Sequence, residues 1–179
     1  MKPDFSQTRL VVFDVDGVLT DGLLHYGSEG EVIKVFHVRD GVGIKLLQDN
    51  NIPVAVISAK ESLPLAKRMT ELGVNYFFPG SKDKKSALMQ ILSELAIEVT
   101  DVVYVGDDMV DLPVMREVGV SLAPSDAYFL VRNECDWVLD TAGGQGVARE
   151  VADLVLASKF QLASVYELAM QPDFERKRD

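Results

Sequence analysis

The chain has 179 residues, with 28 aspartates and glutamates against 18 lysines and arginines, for a net charge of −10. That balance argues against a nucleic-acid partner, which calls for a basic surface. At 47% hydrophobic and 26% charged residues the composition is that of a soluble globular protein, and one domain over 1–179 is expected, since domains of roughly 100–200 residues are typical. No apolar run approaches the about 18 residues of a membrane span. Residues Met1 to Arg9 lack an apolar signal core, and the lone Cys135 cannot form an internal disulfide. A cytoplasmic location is therefore expected, with Cys135 a packed small hydrophobe.

Strand-like runs are expected at Leu10–Val15, Val54–Ser58, Tyr76–Phe78, Val102–Gly106, Ser121–Ala123 and Trp137–Leu139. Between and after them lie helix-like runs at Val42–Asn50, Leu63–Leu72, Lys84–Leu95, Leu112–Val118, Ala127–Val131 and Val147–Ala157. This alternation predicts right-handed crossovers and an α/β sandwich around a mainly parallel sheet. Near-continuous Val, Ile and Leu predict strands buried on both faces. Gly22–Val38 departs from the alternation and reads as a β-hairpin around Gly27-Ser28-Glu29-Gly30 that projects over the strand ends. From Lys159 the chain is partly helical to about Met170, and the charged end from Gln171 is expected to be disordered.

Ligands in parallel sheets gather beyond the carboxyl ends of the strands. Asp14, Ser58 and Asp107 all fall there. Asp14 and Asp16 are two residues apart, a spacing that puts both on one face of an extended chain. Two anions so placed repel unless a cation or a shared proton intervenes. One can attack phosphorus and the other can carry a proton. Asp107, Asp108 and Asp111 form a second carboxylate cluster suited to Mg²⁺, although one of them could simply cap the next helix. Ser58 could donate to a phosphate or cap a helix. Lys82, Lys84 and Lys85 sit at a helix start, which is unfavourable for the helix itself but useful beside phosphate and aspartates; at least one of the three is a solvated side chain.

The order Asp14-Val15-Asp16-Gly17-Val18-Leu19-Thr20, Ser58, a downstream lysine, then Gly106-Asp107-Asp108 and Asp111 resembles the haloacid dehalogenase superfamily of phosphotransferases. Asp at position 16 resembles its phosphatase branch. Phe36-His37-Val38-Arg39-Asp40-Gly41, Asp111-Leu112-Pro113, and Gly143-Gly144 with Gly146 before Arg149-Glu150 are similar to its capless sugar-acid phosphatases. The resemblance runs from about Leu10 to Lys159. It implies a three-layer sandwich with a Rossmann-like sheet and a projecting hairpin.

It further implies Asp14 as nucleophile and Asp16 as general acid/base. Mg²⁺ would be held by Asp14, the Asp16 carbonyl and Asp107, with Asp108 and Asp111 orienting its waters. Ser58 and Lys84 would hold the phosphoryl group; Lys84 is singled out because it follows Gly80 by four residues. Asp16, Lys84, His37, Val38, Arg39, Asp40, Gly41, Lys45, Lys60 and Arg68 would line the substrate. Without the resemblance, His37 reads as an ordinary hairpin residue. The expected substrate is an eight-carbon sugar-acid phosphate used for lipopolysaccharide. Alternatives are a nine-carbon 9-phosphate or a non-catalytic protein of the same fold. A homotetramer is implied, its hairpins and tails covering neighbouring sites. Where the superfamily carries Ser/Thr-Gly-Arg, this chain has Ser58-Ala59-Lys60; lysine keeps the charge without the bidentate fork of arginine.

Overall fold

The computed structural model describes residues 2–170. Among these, six strands form one sheet in the order β5-β4-β1-β6-β7-β8. They are β1 (Leu10–Phe13), β4 (Val54–Ile57), β5 (Tyr76–Phe78), β6 (Val102–Val105), β7 (Val120–Ala123) and β8 (Trp137–Val138). Every pairing is parallel. The sheet is the predicted one, with several expected strands a residue or two too long at the carboxyl end. β1, β4, β6 and β7 are buried along their whole length.

The two-residue period of a strand divides the core into two layers. Val11, Phe13, Val54, Val56, Val103 and Val105 pack with residues of α1 (Val38–Asp49), α2 (Leu63–Glu71) and α6 (Val147–Lys159). Leu10, Val12, Ala55, Ile57 and Tyr104 pack with α3 (Lys84–Leu95), α4 (Leu112–Met115) and α5 (Phe129–Glu134). A final helix, α7 (Leu162–Ala169), leans on α6. The result is an α/β three-layer sandwich. The expected disorder of 171–179 lies outside the described residues.

The hairpin is narrower than expected. Among the described residues, strands β2 (His25–Gly27) and β3 (Gly30–Ile33) pair only with each other. Val38 belongs to α1, which starts four residues before its expected beginning because His37 caps it: Nδ1 accepts from the Arg39 amide at 3.1 Å. Gly41 and Gly43 disguised this helix, since glycine weakens a helical pattern. At Gly43 the missing side chain is what permits packing. A Cβ there would lie 2.7 Å from Ala148 O and Arg149 Cα on α6.

Candidate active site

Asp14 directly follows β1, and its amide donates to Val105 O at 3.0 Å, extending the ladder one residue beyond the strand. The chain then turns at Asp16-Gly17. Gly17 has φ +86°, and a Cβ on it would stand 2.0 Å from Asp107 Oδ2. Glycine therefore serves twice here, for the turn and for the approach of Asp107 from beyond β6. The resulting cleft, about 310 Å³, is lined by Asp14, Asp16, Lys60, Lys84, Asp107 and Asp108 among others.

Lys84, the first residue of α3, is buried and bridges two carboxylates. Its Nζ lies 2.8 Å from Asp14 Oδ1 and 2.7 Å from Asp111 Oδ1. Asp83 caps α3 by accepting from the Ser86 amide, which frees Lys84 to point inward. Asp111 is fully buried and heavily engaged. Oδ1 also accepts from the Tyr104 hydroxyl at 2.7 Å, and Oδ2 accepts from the amides of Asp107 and Asp108 at 3.2 and 3.4 Å. Burial and the adjacent Asp111 push the Tyr104 phenol well up, so it stays a donor.

Burial, reinforced by Asp111, pushes Asp14 up to about 7 despite Lys84. Burial, then Asp14 and Asp111, raises Asp107 to about 8. Burial alone would pull Lys84 down, but Asp14 and Asp111 hold it above the usual lysine value. Oxygens of Asp14, Asp107 and Asp111 lie within 4.8 Å of one another. One ammonium thus faces three carboxylates. That charge deficit and the hard oxygen donors fit a divalent cation such as Mg²⁺. Because both Asp111 oxygens already accept from protein donors, Asp14 and Asp107 are the pair open to a cation.

The other expected site residues divide. Ser58 is buried, with its hydroxyl turned to the backbone of Lys60: it donates to Lys60 O at 3.1 Å and accepts from Lys60 N at 3.2 Å. Asp108 Oδ1 accepts from the Met109 amide. His37, Asp40, Gly41 and Arg68 surround a separate small cavity with Leu19 and Phe36. Asp40 Oδ1 accepts from the Arg149 amide at the start of α6. Burial raises its carboxyl to about 6, against the amides of Arg149 and Ala148. Asp40 therefore clamps α1 to α6. Arg68 pairs with Glu71 at 3.7 Å. Val38 and Arg39 are exposed and Lys45 is half-buried further along α1.

Two residues at the site escaped sequence reasoning. Tyr104 looked like one more strand residue; its position two residues before Gly106 on a doubly buried strand was the available signal. Lys34, just past β3, is buried and forms ion pairs with Asp16 and, at 3.0 Å, with Glu31. Burial tends to lower the Lys34 ammonium, but the two carboxylates hold it above the usual value.

Comparison with known proteins agrees with this architecture. Residues 68–151, which include Lys84, Asp107 and Asp111, match the haloacid dehalogenase-like hydrolase family, and with the full-length relatives that follow the chain is a haloacid dehalogenase-like hydrolase. The 3-deoxy-D-manno-octulosonate 8-phosphate phosphatase KdsC of Haemophilus influenzae is 43% identical over 169 residues, covering 94% of this chain and 93% of the relative. The Escherichia coli K12 enzyme of the same name is 43% identical over 154 residues, covering 86% of this chain and 82% of its own. The chain belongs to the family of 3-deoxy-D-manno-octulosonate 8-phosphate phosphatases. Two solved structures superpose closely. The cobalt-bound H. influenzae phosphatase has a TM-score of 0.87 at 42% identity, covering 92% of this chain and 99% of that one. The Moraxella catarrhalis phosphatase, in complex with a magnesium ion, a phosphate ion and KDO, has a TM-score of 0.88 at 33% identity, covering 94% and 96%.

Proposed function

We propose that this protein is a Mg²⁺-dependent phosphomonoesterase that hydrolyses 3-deoxy-D-manno-octulosonate 8-phosphate to the free sugar acid and phosphate. The observation that carries the reading is the cleft in which buried Asp14, held by Lys84, faces Asp16 and Asp107. The substrate is taken from the relatives, including the M. catarrhalis phosphatase with KDO and phosphate.

In this reading Asp14 attacks phosphorus in line, forming an aspartyl phosphate, while Asp16 gives its proton to the departing sugar oxygen. Asp16 then takes a proton from water as that water attacks phosphorus and releases Asp14. Lys84 sits 2.8 Å from the attacking carboxylate, where it offsets charge on the transferring group. The Asp14 carboxylate, the Asp16 carbonyl and Asp107 would hold Mg²⁺, which would supply neutralisation of phosphoryl charge. Asp111 fixes Lys84 and the Asp107 loop, and Asp108 faces the cleft where waters of the cation would lie. Ser58 serves the phosphoryl group once its hydroxyl swings from Lys60. Lys60 lines the cleft on the sugar side; the other expected contacts, His37, Val38, Arg39, Asp40, Gly41, Lys45 and Arg68, lie on α1, its cap and α2, outside that cleft.

The whole chain, 1–179, acts as one phosphatase domain serving lipopolysaccharide synthesis in the cytoplasm. The free Cys135 suits a reducing compartment, and among the described residues no helix is long and apolar enough to cross a membrane. A homotetramer is the expected assembly. Exposed Tyr26, Val32 and Ile33 on the hairpin supply apolar surface for a neighbour.

A panel of phosphorylated sugar acids with Mg²⁺, run beside a sizing measurement, tests the proposal. The eight-carbon 8-phosphate should give the largest kcat/KM. A larger value for a nine-carbon 9-phosphate would move the substrate assignment, and turnover by Asp14→Asn at the parent rate would end the mechanism.

A further inference from the structure

Lys34 inverts the pattern of the hairpin that carries it. From Asp21 to Arg39 it is the one buried residue, while Val32, Ile33 and Val35 beside it stand more than half exposed. Its side chain is only 2% accessible, against 26% for that of Asp16. An ammonium is strongly disfavoured out of water unless it is paired, so its two carboxylate partners, Asp16 and Glu31, account for its position. The hairpin has no ladder to the main sheet. Lys34 is thus an ionic tie between a separate element and the loop that carries the proton-transfer residue. It holds Asp16 without itself lining the cleft.

We propose that Lys34 is a positioning residue for Asp16, which makes the hairpin part of the catalytic apparatus. Among the described residues Lys34 is the hydrogen-bond partner of Asp16 Oδ1, and Oδ2 has none. The pairing occupies Oδ1 and leaves Oδ2 as the oxygen available for proton transfer in the cleft that Asp16 lines. There it delivers its proton to the sugar oxygen as the phosphorus–oxygen bond breaks, and later accepts one from the attacking water. Asp16 sits in a turn rather than on a strand or helix, so its aim depends on such a clamp. General acid–base catalysis needs hydrogen-bond reach to the reacting proton, and small misplacements are costly. This inference rests on the acid/base role proposed above for Asp16.

A double-mutant cycle with 3-deoxy-D-manno-octulosonate 8-phosphate and Mg²⁺ tests it. Lys34→Met should lower kcat about tenfold or more while KM stays within about twofold, since the interaction serves the reaction rather than binding. In the Asp16→Asn background the same change should cost less than about twofold, because its target is already gone. A loss of equal size in both backgrounds, or no loss in the parent, overturns the inference. If Asp16→Asn alone turns over at the parent rate, the acid/base role itself falls, which distinguishes the two failures. Should Lys34→Met fail to fold, Glu31→Gln/Lys34→Met removes the opposing charge as well and carries the same cycle.

Discussion

Lys84 and Asp111 meet at 2.7 Å with both side chains out of solvent, and everything at the cleft hangs on that contact. Lys84 arrives from the first turn of α3, Asp111 from the residue before α4. Their pairing lets an ammonium stand beside Asp14. It also lets Asp111 hold the Asp107 and Asp108 amides from inside. The same bond organises the attacking carboxylate and the loop that carries the second one.

Replacing Lys84 with Met should therefore be costly to both fold and chemistry. Three carboxylates would be left together with no cation from the protein. Breaking a buried pair in this way destabilises by about 3–5 kcal/mol. Turnover should fall roughly 100-fold or more, as for loss of a charge-stabilising group. Urea unfolding and steady-state kinetics of one preparation would show both. A variant with unchanged stability would contradict the buried pairing.

Tyr104→Phe isolates a smaller part. It removes the hydroxyl that donates to Asp111 Oδ1 and leaves the ring in the α3–α4 layer. A hydrogen bond to a charged acceptor contributes about 1.5–3 kcal/mol. Lys84 still holds the same oxygen, so activity should drop only severalfold while the urea midpoint shifts clearly.

Much of this was legible beforehand. Asp14 and Asp107 could be placed because hydrophobic runs mark buried parallel strands and polar residues just past them fall on one edge, whereas Lys84 stood out from Lys82 and Lys85 only by the family resemblance. What stayed hidden was set by tertiary pairing. The α1 start was masked by glycines whose purpose is contact with α6. Tyr104 is one apolar-looking letter within a strand, and only the fold brings Asp111 beneath its hydroxyl. Lys34 sits in a stretch that reads as an exposed hairpin, and neither alternation nor spacing says that the charged residue turns inward there. Asp40 lies in a motif associated with the substrate side, and its clamp on α6 depends on a partner 109 positions away.

The raised carboxyls set a pH dependence for the metal-free protein. An acid whose folded-state value is raised binds more protons folded than unfolded, so its stabilising effect is complete below the unfolded value of about 3.9 and declines as pH rises through the folded value. Asp40 at about 6, Asp14 at about 7 and Asp107 at about 8 all act in this direction. Tm in a chelating buffer should fall steadily from pH 5 to about 8. Saturating Mg²⁺ should flatten the upper part of the curve, because a cation favours the ionised forms of Asp14 and Asp107. Asp40, away from the cleft, should keep its part of the slope near pH 6. A metal-free Tm that rises across this range would refute the assignment.

Gly17→Ala probes the approach of the two acidic loops without touching a charge. The new Cβ would have to clear Asp107 Oδ2, 2.0 Å away, and the residue would have to hold φ +86°. The backbone cost of a side chain in the left-handed region is about 1–2 kcal/mol. The contact is the larger problem, since Asp107 cannot stay where it is. The carboxylate should move out of the cluster, so the loss should appear mainly as weaker Mg²⁺ binding. In calorimetric titration, affinity should fall about tenfold or more, in line with disturbed metal ligands. Turnover at saturating Mg²⁺ should recover in part. If affinity is unchanged while turnover collapses, the variant has displaced Asp14 or Asp16 instead, and Asp107 would no longer be the residue whose place Gly17 secures.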